Sequence, residues 1–314
     1  MSVLRGTCPA KLNLTLAVTG RRADRYHTLR SVFVRTTLHD ELAVERGSET
    51  ETDSLLVDGS AAVSAEDNLV LRAARALRAA LVLRAATPVS LPALHFRLTK
   101  RIPVAAGLGG GSSDAASALD LATRAWGVQA DAALLDAIAV GLGADVPFFV
   151  TPHEAALIDG IGETLHRLPP PDGAVGVLLV TPSERLSTAA VFGEFDRGPT
   201  ATSSAGEATD ALVSALAAGV DGSGLVALAP MLRDANDLWA PAARLSPGLV
   251  GARETLESVL QRPILMSGSG PTLFAIYPSP DAARETAATL RLGTPAGSAG
   301  AAINVTTIRG GDQP

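Results

Sequence analysis

The sequence predicts an α+β protein of two modest domains, and three observations lead there. The chain has 314 residues, 47% of them apolar, which is enough to bury two cores of ordinary domain size. Short strand-like runs and longer helix-like runs are mixed along it instead of alternating regularly, which argues against a doubly wound parallel sheet. The pattern then restarts after Pro147. A boundary therefore falls between about 150 and 175, and a division at 160 gives domains of residues 1–160 and 161–314.

In chain order, Leu12, Leu14, Leu16 and Val18 alternate with polar residues. Val32, Phe33 and Val34 follow after the basic, turn-like stretch Thr19-Gly-Arg-Arg-Ala-Asp-Arg25, giving strand, loop, strand. A helix is expected over 68–83, with Glu66 and Asp67 placing negative charge at its positive end. A short strand over 94–98 precedes a glycine-rich loop at 103–111, which feeds a helix over 112–126. A second helix over 131–139 ends in the glycine-punctuated run Gly141 to Pro147. Residues 148–150 and 155–158 read as strands, 176–180 as a buried strand, and the small, polar run 198–206 as a surface loop. Strands over 264–266 and 273–277 flank Ser267-Gly-Ser-Gly-Pro271, and a final helix starts at Asp281. No internal repeat is visible.

Composition excludes several classes. A net charge of −6 argues against nucleic acid as a partner, since such binding needs a basic face, although a local positive field for phosphate can still be built. No window approaches the roughly 20 apolar residues of a membrane span. The first residues lack the basic-then-apolar layout of a secretory signal, so a cytoplasmic setting away from membranes is expected. Cys8 is the sole cysteine, which rules out an internal disulfide and a cysteine-based zinc site. Lysine occurs only at positions 11 and 100, and both lie beside motifs.

The most informative segment is Pro103-Val104-Ala105-Ala106-Gly107-Leu108-Gly109-Gly110-Gly111-Ser112-Ser113. Its glycines permit backbone conformations closed to other residues and let amides approach a ligand closely. The helix that follows adds free N–H groups and the positive end of its dipole, which together favour an anion. Ser112 and Ser113 can donate hydroxyls to phosphate oxygens, or one can ligate Mg²⁺. A Walker A loop would need a lysine at its end. A Rossmann fingerprint would open the first βαβ unit. Neither fits, and the remaining bland reading is a flexible linker.

The loop resembles the ATP-binding motif of the GHMP kinases. Pro9-Ala-Lys-Leu-Asn-Leu14 with Thr19 to Leu29, then Gly143-Ala-Asp-Val-Pro147, Asn236-Asp-Leu238 and Met266 to Pro271, is similar in order to the blocks of the 4-diphosphocytidyl-2-C-methyl-D-erythritol kinases. The resemblance implies a two-domain fold with an S5-like N-terminal domain that binds ATP and a ferredoxin-like C-terminal domain. It also implies phosphorylation of the 2-hydroxyl of a cytidine diphosphate sugar-alcohol, with ATP and Mg²⁺, on the non-mevalonate route to isoprenoid precursors. Another GHMP kinase, acting on homoserine or mevalonate, is the near alternative. A non-catalytic nucleotide-binding protein is the more distant one, and it would be expected to lack Lys11 or Asp145.

Roles follow residue by residue from the same resemblance. Asp145 matches the catalytic aspartate, although on residue type alone a turn or helix-capping aspartate has the better claim. Lys11 matches the catalytic lysine, and alternation sets Lys11 and Asn13 on one strand face, which would line either a site or solvent. Tyr26 and His27 match residues that hold the cytidine end, by stacking and hydrogen bonding. Phe192 falls where the family places a base-stacking aromatic, and a core phenylalanine is the equal alternative. The family usually carries glycine where this chain has Arg25, which would alter the turn before Tyr26. No residue pair identifies the Mg²⁺ ligands, and the sequence is silent on oligomeric state.

Overall fold

The computed structural model describes residues 3–58, 67–84, 91–198, 204–293 and 301–310. In chain order its elements are β1 (Leu4–Asn13), β2 (Ala17–Arg21), β3 (His27–Arg46), β4 (Ser54–Asp58), α1 (Leu69–Arg84), β5 (Leu94–Thr99), α2 (Gly110–Trp126), α3 (Ala132–Leu142) and α4 (Val146–Val150). They continue with β6 (Ala155–Gly160), β7 (Thr164–Leu168), β8 (Val175–Thr181), α5 (Thr188–Phe195), α6 (Ala205–Ala217), α7 (Gly222–Leu232), α8 (Trp239–Leu245) and α9 (Pro247–Leu260). The chain closes with β9 (Leu265–Met266), β10 (Leu273–Tyr277), α10 (Pro280–Gly293) and β11 (Ala302–Ile308). Two compact units interleave along it: Met1–Ala10, His39–Val104 and Gly109–His153 in one, and Lys11–Leu38, Ala105–Leu108 and Glu154–Pro314 in the other.

In the first unit β5 pairs antiparallel with the C-terminal half of β3 and parallel with β4. Alternation buries Leu42, Val44, Leu94, Phe96 and Leu98 and leaves Glu41, Glu45 and Arg97 exposed, as a half-covered sheet requires. Helix α1 buries Val70, Leu71, Ala73, Ala74 and Leu77, one helical stripe, and packs on α2 and α3. Its start is capped by Asn68, whose Oδ1 accepts from the Val70 amide at 2.9 Å. The expected acidic start is therefore replaced by an amide cap, and Glu66 lies outside the described residues. The segment read as a strand at 148–150 is helix α4. Pro147 sits in its first turn, where no N–H is required and φ is already helical. Val146, Pro147, Phe148 and Phe149 are all buried, so tertiary packing overrides their β-propensity.

In the second unit β8 pairs antiparallel with β10 and β11, and β10 pairs with β9. Every residue of β8 and β10 is buried, marking them as central strands. Helix α10 packs on β8, β10 and β11, and α7 packs on β10. Leu178, Val180, Leu256, Ile264, Leu273, Ala275 and Tyr277 form the shared core. The N-terminal half of β3 pairs antiparallel with β2 and β6, making a strand far longer than the run 32–34 read from sequence. The mostly antiparallel pairing meets the α+β expectation. From 188 to 260 the sequence offered only a loop at 198–206, yet α5 to α9 lie there. Residues 199–203 of that loop are outside the described ones. No helix among the described residues is long and apolar enough to cross a membrane.

Candidate active site

The glycine loop adopts the backbone its composition allows. Gly107 and Gly109 have φ of 78° and 70°, and Ala105 has φ of 56°. A Cβ on Gly107 would meet the Ser267 carbonyl at 2.2 Å, so only glycine fits. Gly109 is the N-cap of α2 and no side chain caps that end. The first intrahelical bond is donated by the Ser113 amide to Gly109 O at 3.0 Å. The amides of Gly110, Gly111 and Ser112 are thus the orphan donors of a 17-residue helix, the arrangement that binds anions. The Ser113 hydroxyl is buried without a partner among the described residues. In the rest of the loop Ala106 and Leu108 are buried, while Pro103 and Val104 are partly or fully exposed. The helix starts two residues earlier than read, so Gly110 and Gly111 form its first turn.

Lys11 and Asn13 are both buried, at 3% exposure, which discards the solvated strand face. Lys11 Nζ donates to Asn13 Oδ1 at 2.6 Å and lies 4.5 Å from the centroid of the Phe33 ring. Asn13 Nδ2 donates to Ser31 Oγ at 2.9 Å, so the carboxamide orientation is fixed. The Lys11 amide donates to Leu108 O at 3.0 Å, and Ser267 Oγ donates to Gly107 O at 2.9 Å. The strand carrying Lys11 and the loop 105–108 are thereby tied together. Asn236 completes the frame by donating through Nδ2 to the carbonyls of Met266 and Gly268, both at 2.9 Å. Its neighbour Asp237 accepts from the Val18 amide at 2.8 Å. These two residues brace the segment that carries Ser267 and the start of β2.

In the first unit Asp145 occupies the N-cap position of α4, but its side chain makes no cap hydrogen bond. The helix-capping role is therefore not what this carboxylate does. Sequence reasoning passed over a second cluster here. Lys100 Nζ donates to Asp40 Oδ2 at 2.5 Å and to Asp114 Oδ2 at 2.7 Å, all three side chains being buried. Asp40 Oδ1 also accepts from the amides of Arg101 and Ile102, at 2.5 and 2.8 Å. Burial, with the Asp40 carboxylate beside it, pushes the Asp114 carboxyl up to about 7 despite the attraction of Lys100. A Cβ on Gly110 would lie 3.3 Å from Lys100 Nζ, so this ammonium sits directly behind the first turn of α2. The only hint in the sequence was the rarity of lysine.

The basic turn of the second unit lines a cavity within that unit. Tyr26 is 64% exposed. His27 Nε2 hydrogen-bonds Asp196 Oδ1 at 2.7 Å, and its ring stacks on Phe192 at 4.9 Å and 19°. Phe195 meets the same ring edge-on at 5.8 Å. Phe192 is half-buried, stacked on His27 and also packed against the core of the second unit. A cavity of about 410 Å³ is lined by Arg21, His27, Phe195, Asp196, Asp237 and Arg244, among others. Guanidinium, imidazole and aromatic faces line it together with the carboxylates of Asp196 and Asp237, a mixed wall that suits an aromatic, polar ligand. Arg25 takes φ of 72°, so the turn keeps a left-handed residue where the family usually carries glycine.

Residues 68–152 match the GHMP kinases N terminal domain and residues 209–292 the GHMP kinases C terminal domain. The chain belongs to the GHMP kinases. Within them it belongs to the 4-diphosphocytidyl-2-C-methyl-D-erythritol kinases, as relatives at this distance establish. The kinase of that name from Granulibacter bethesdensis is 42% identical over 292 residues, covering 90% of this chain and 88% of its own. A crystal structure of 4-(cytidine 5'-diphospho)-2C-methyl-D-erythritol kinase superposes with a TM-score of 0.70 at 34% identity, covering 98% of this chain and all of the other. The L. major mevalonate kinase superposes equally well, with a TM-score of 0.71 and coverage of 99% and 98%, but at 13% identity. That likeness shows the shared fold alone.

Proposed function

We propose that the chain transfers the γ-phosphoryl group of ATP to the 2-hydroxyl of 4-diphosphocytidyl-2-C-methyl-D-erythritol, on the non-mevalonate route to isoprenoid precursors. Near-full-length identity of 42% to a kinase of that name carries this reading over the homoserine and mevalonate alternatives. The uncapped amides of α2 and the loop 103–113 cradle the triphosphate, because orphan N–H donors and the helix dipole favour negative charge. Mg²⁺ enters as part of the nucleotide substrate, and the unpartnered Ser113 hydroxyl is a hard oxygen donor suited to it.

Asp145 accepts the proton of the acceptor hydroxyl. The freed oxygen forms a bond to the γ-phosphorus as the bond to the β–γ bridging oxygen breaks, and ADP leaves. Lys11 acts on the charge that builds on the transferring group. Its ammonium is already desolvated and oriented by Asn13, so it need not reorganise during the reaction. Asn13, Tyr26, His27 and Phe192 hold the acceptor substrate, the last three at its cytidine end. Residues 1–160 serve as the ATP-binding half and 161–314 as the C-terminal half, in a cytoplasmic enzyme that needs neither nucleic acid nor membrane. The test is a coupled ADP-release assay with the cytidine diphosphate sugar-alcohol beside homoserine and mevalonate. Turnover confined to the first is expected, and equal or better turnover of either other substrate would overturn the reading.

A further inference from the structure

The carboxylate of Asp196, at the end of α5, holds two residues of the basic turn at once. Oδ1 pairs with His27 Nε2 at 2.7 Å and Oδ2 with Arg21 Nη1 at 3.2 Å. Arg21 Nε donates onward to the Arg25 carbonyl at 3.3 Å, so one acid spans the turn from 21 to 27. A carboxylate only accepts, so this bond places the ring hydrogen of neutral His27 on Nε2 and leaves Nδ1 an acceptor. The ring plane is set separately by Phe192 and Phe195. The Arg21–Asp196 pair, with side chains 47% and 29% exposed, belongs to a class that contributes little to folding. Its main effect is on orientation.

We propose that Asp196 is a positioning residue for base recognition: it fixes His27 as a hydrogen-bond acceptor and Arg21 as its neighbour on the wall of the cavity, a pattern that suits the exocyclic amine of cytosine and opposes the carbonyl of uracil. The proposal rests on the reading of His27 and Phe192 as contacts of the cytidine end. Asparagine at 196 can instead donate to Nε2, which moves the ring hydrogen to Nδ1 and removes the acceptor that favours cytosine. The experiment compares wild type with Asp196→Asn, His27→Ala and Phe192→Ala. It measures CDP and UDP affinities, steady-state constants with the cytidine substrate, unfolding midpoints and the ¹⁵N imidazole spectrum.

For Asp196→Asn the preference for CDP over UDP should fall by about tenfold, as expected for loss of one hydrogen bond to the base. The loss should appear in KM for the cytidine substrate rather than in kcat, and the His27 spectrum should change tautomer at an unchanged unfolding midpoint. A merely structural role for Asp196 would move neither the base preference nor the tautomer. If Asp196→Asn keeps both while His27→Ala abolishes CDP binding, the positioning role is refuted and the cytidine reading stands. If His27→Ala and Phe192→Ala both leave CDP affinity intact, the cytidine reading itself fails and takes the proposal with it.

Discussion

Arg25 shows how a single backbone angle bears on the reading of a site. A side chain at φ of 72° costs about 1–2 kcal/mol relative to glycine, offset in part by the greater freedom of glycine in the unfolded chain. Arg25→Gly is therefore expected to raise stability by about 0.5–1 kcal/mol without lowering kcat, as read by urea unfolding and steady-state rates. A fall in stability would show that the turn depends on the arginine side chain. Asp145 and Lys11 carry the chemical predictions. Asp145→Asn should lower kcat by roughly 10²–10⁴-fold while ATP still binds. Unchanged turnover would reject the base. Lys11→Met keeps the buried stem and removes the charge, and should lower kcat by about a hundredfold with ATP affinity shifted far less. The reverse split would reject a role in the transition state.

At the scale of elements, the start of α2 rests on the buried Lys100 cluster, and this makes the fold sensitive to pH. Asp114 titrates at about 7 in the folded chain and at 3.8 in the reference state. Between those values the native state holds a proton that the unfolded chain has released. Stability therefore decreases as pH rises from about 4 to 7, by at most about 1.4 kcal/mol per unit, and levels off above. Comparing denaturant midpoints at pH 5 and 7, Asp114→Asn should show a smaller drop than wild type. An equal drop would place the slope elsewhere. The sequence announced α2 through its glycines and serines and bounded β10 correctly, because local chemistry decides both. It misread α4, where residues 148–150 look like a strand and only burial makes them part of a helix. It passed over Asp40, Asp114 and Asp196 because each gains its role from partners 14 to 169 positions away, a separation that no local pattern encodes.

For the whole molecule, ligands should protect separable sets of amides. ATP is expected to slow hydrogen exchange at 105–113, and a cytidine nucleotide at 19–29 and 187–198, since ordering a segment raises its local opening free energy. ATP protection centred on 19–29 would reverse the assignment. The fold leaves room for such division of labour, because a mevalonate kinase at 13% identity superposes as well as a kinase at 34%. What separates them lies in site residues grafted on a shared frame.

The contact between Gly107 and Ser267 bears on how such a frame can be re-engineered. The serine hydroxyl bonds the glycine carbonyl, and the serine carbonyl occupies the space that a side chain at 107 would need. A chimaera that imports the nucleotide loop from a cousin kinase therefore inherits half of a fitted joint. Exchanged alone, the loop should yield sluggish or insoluble protein; exchanged with 266–271 as one cassette, it should retain phosphotransfer.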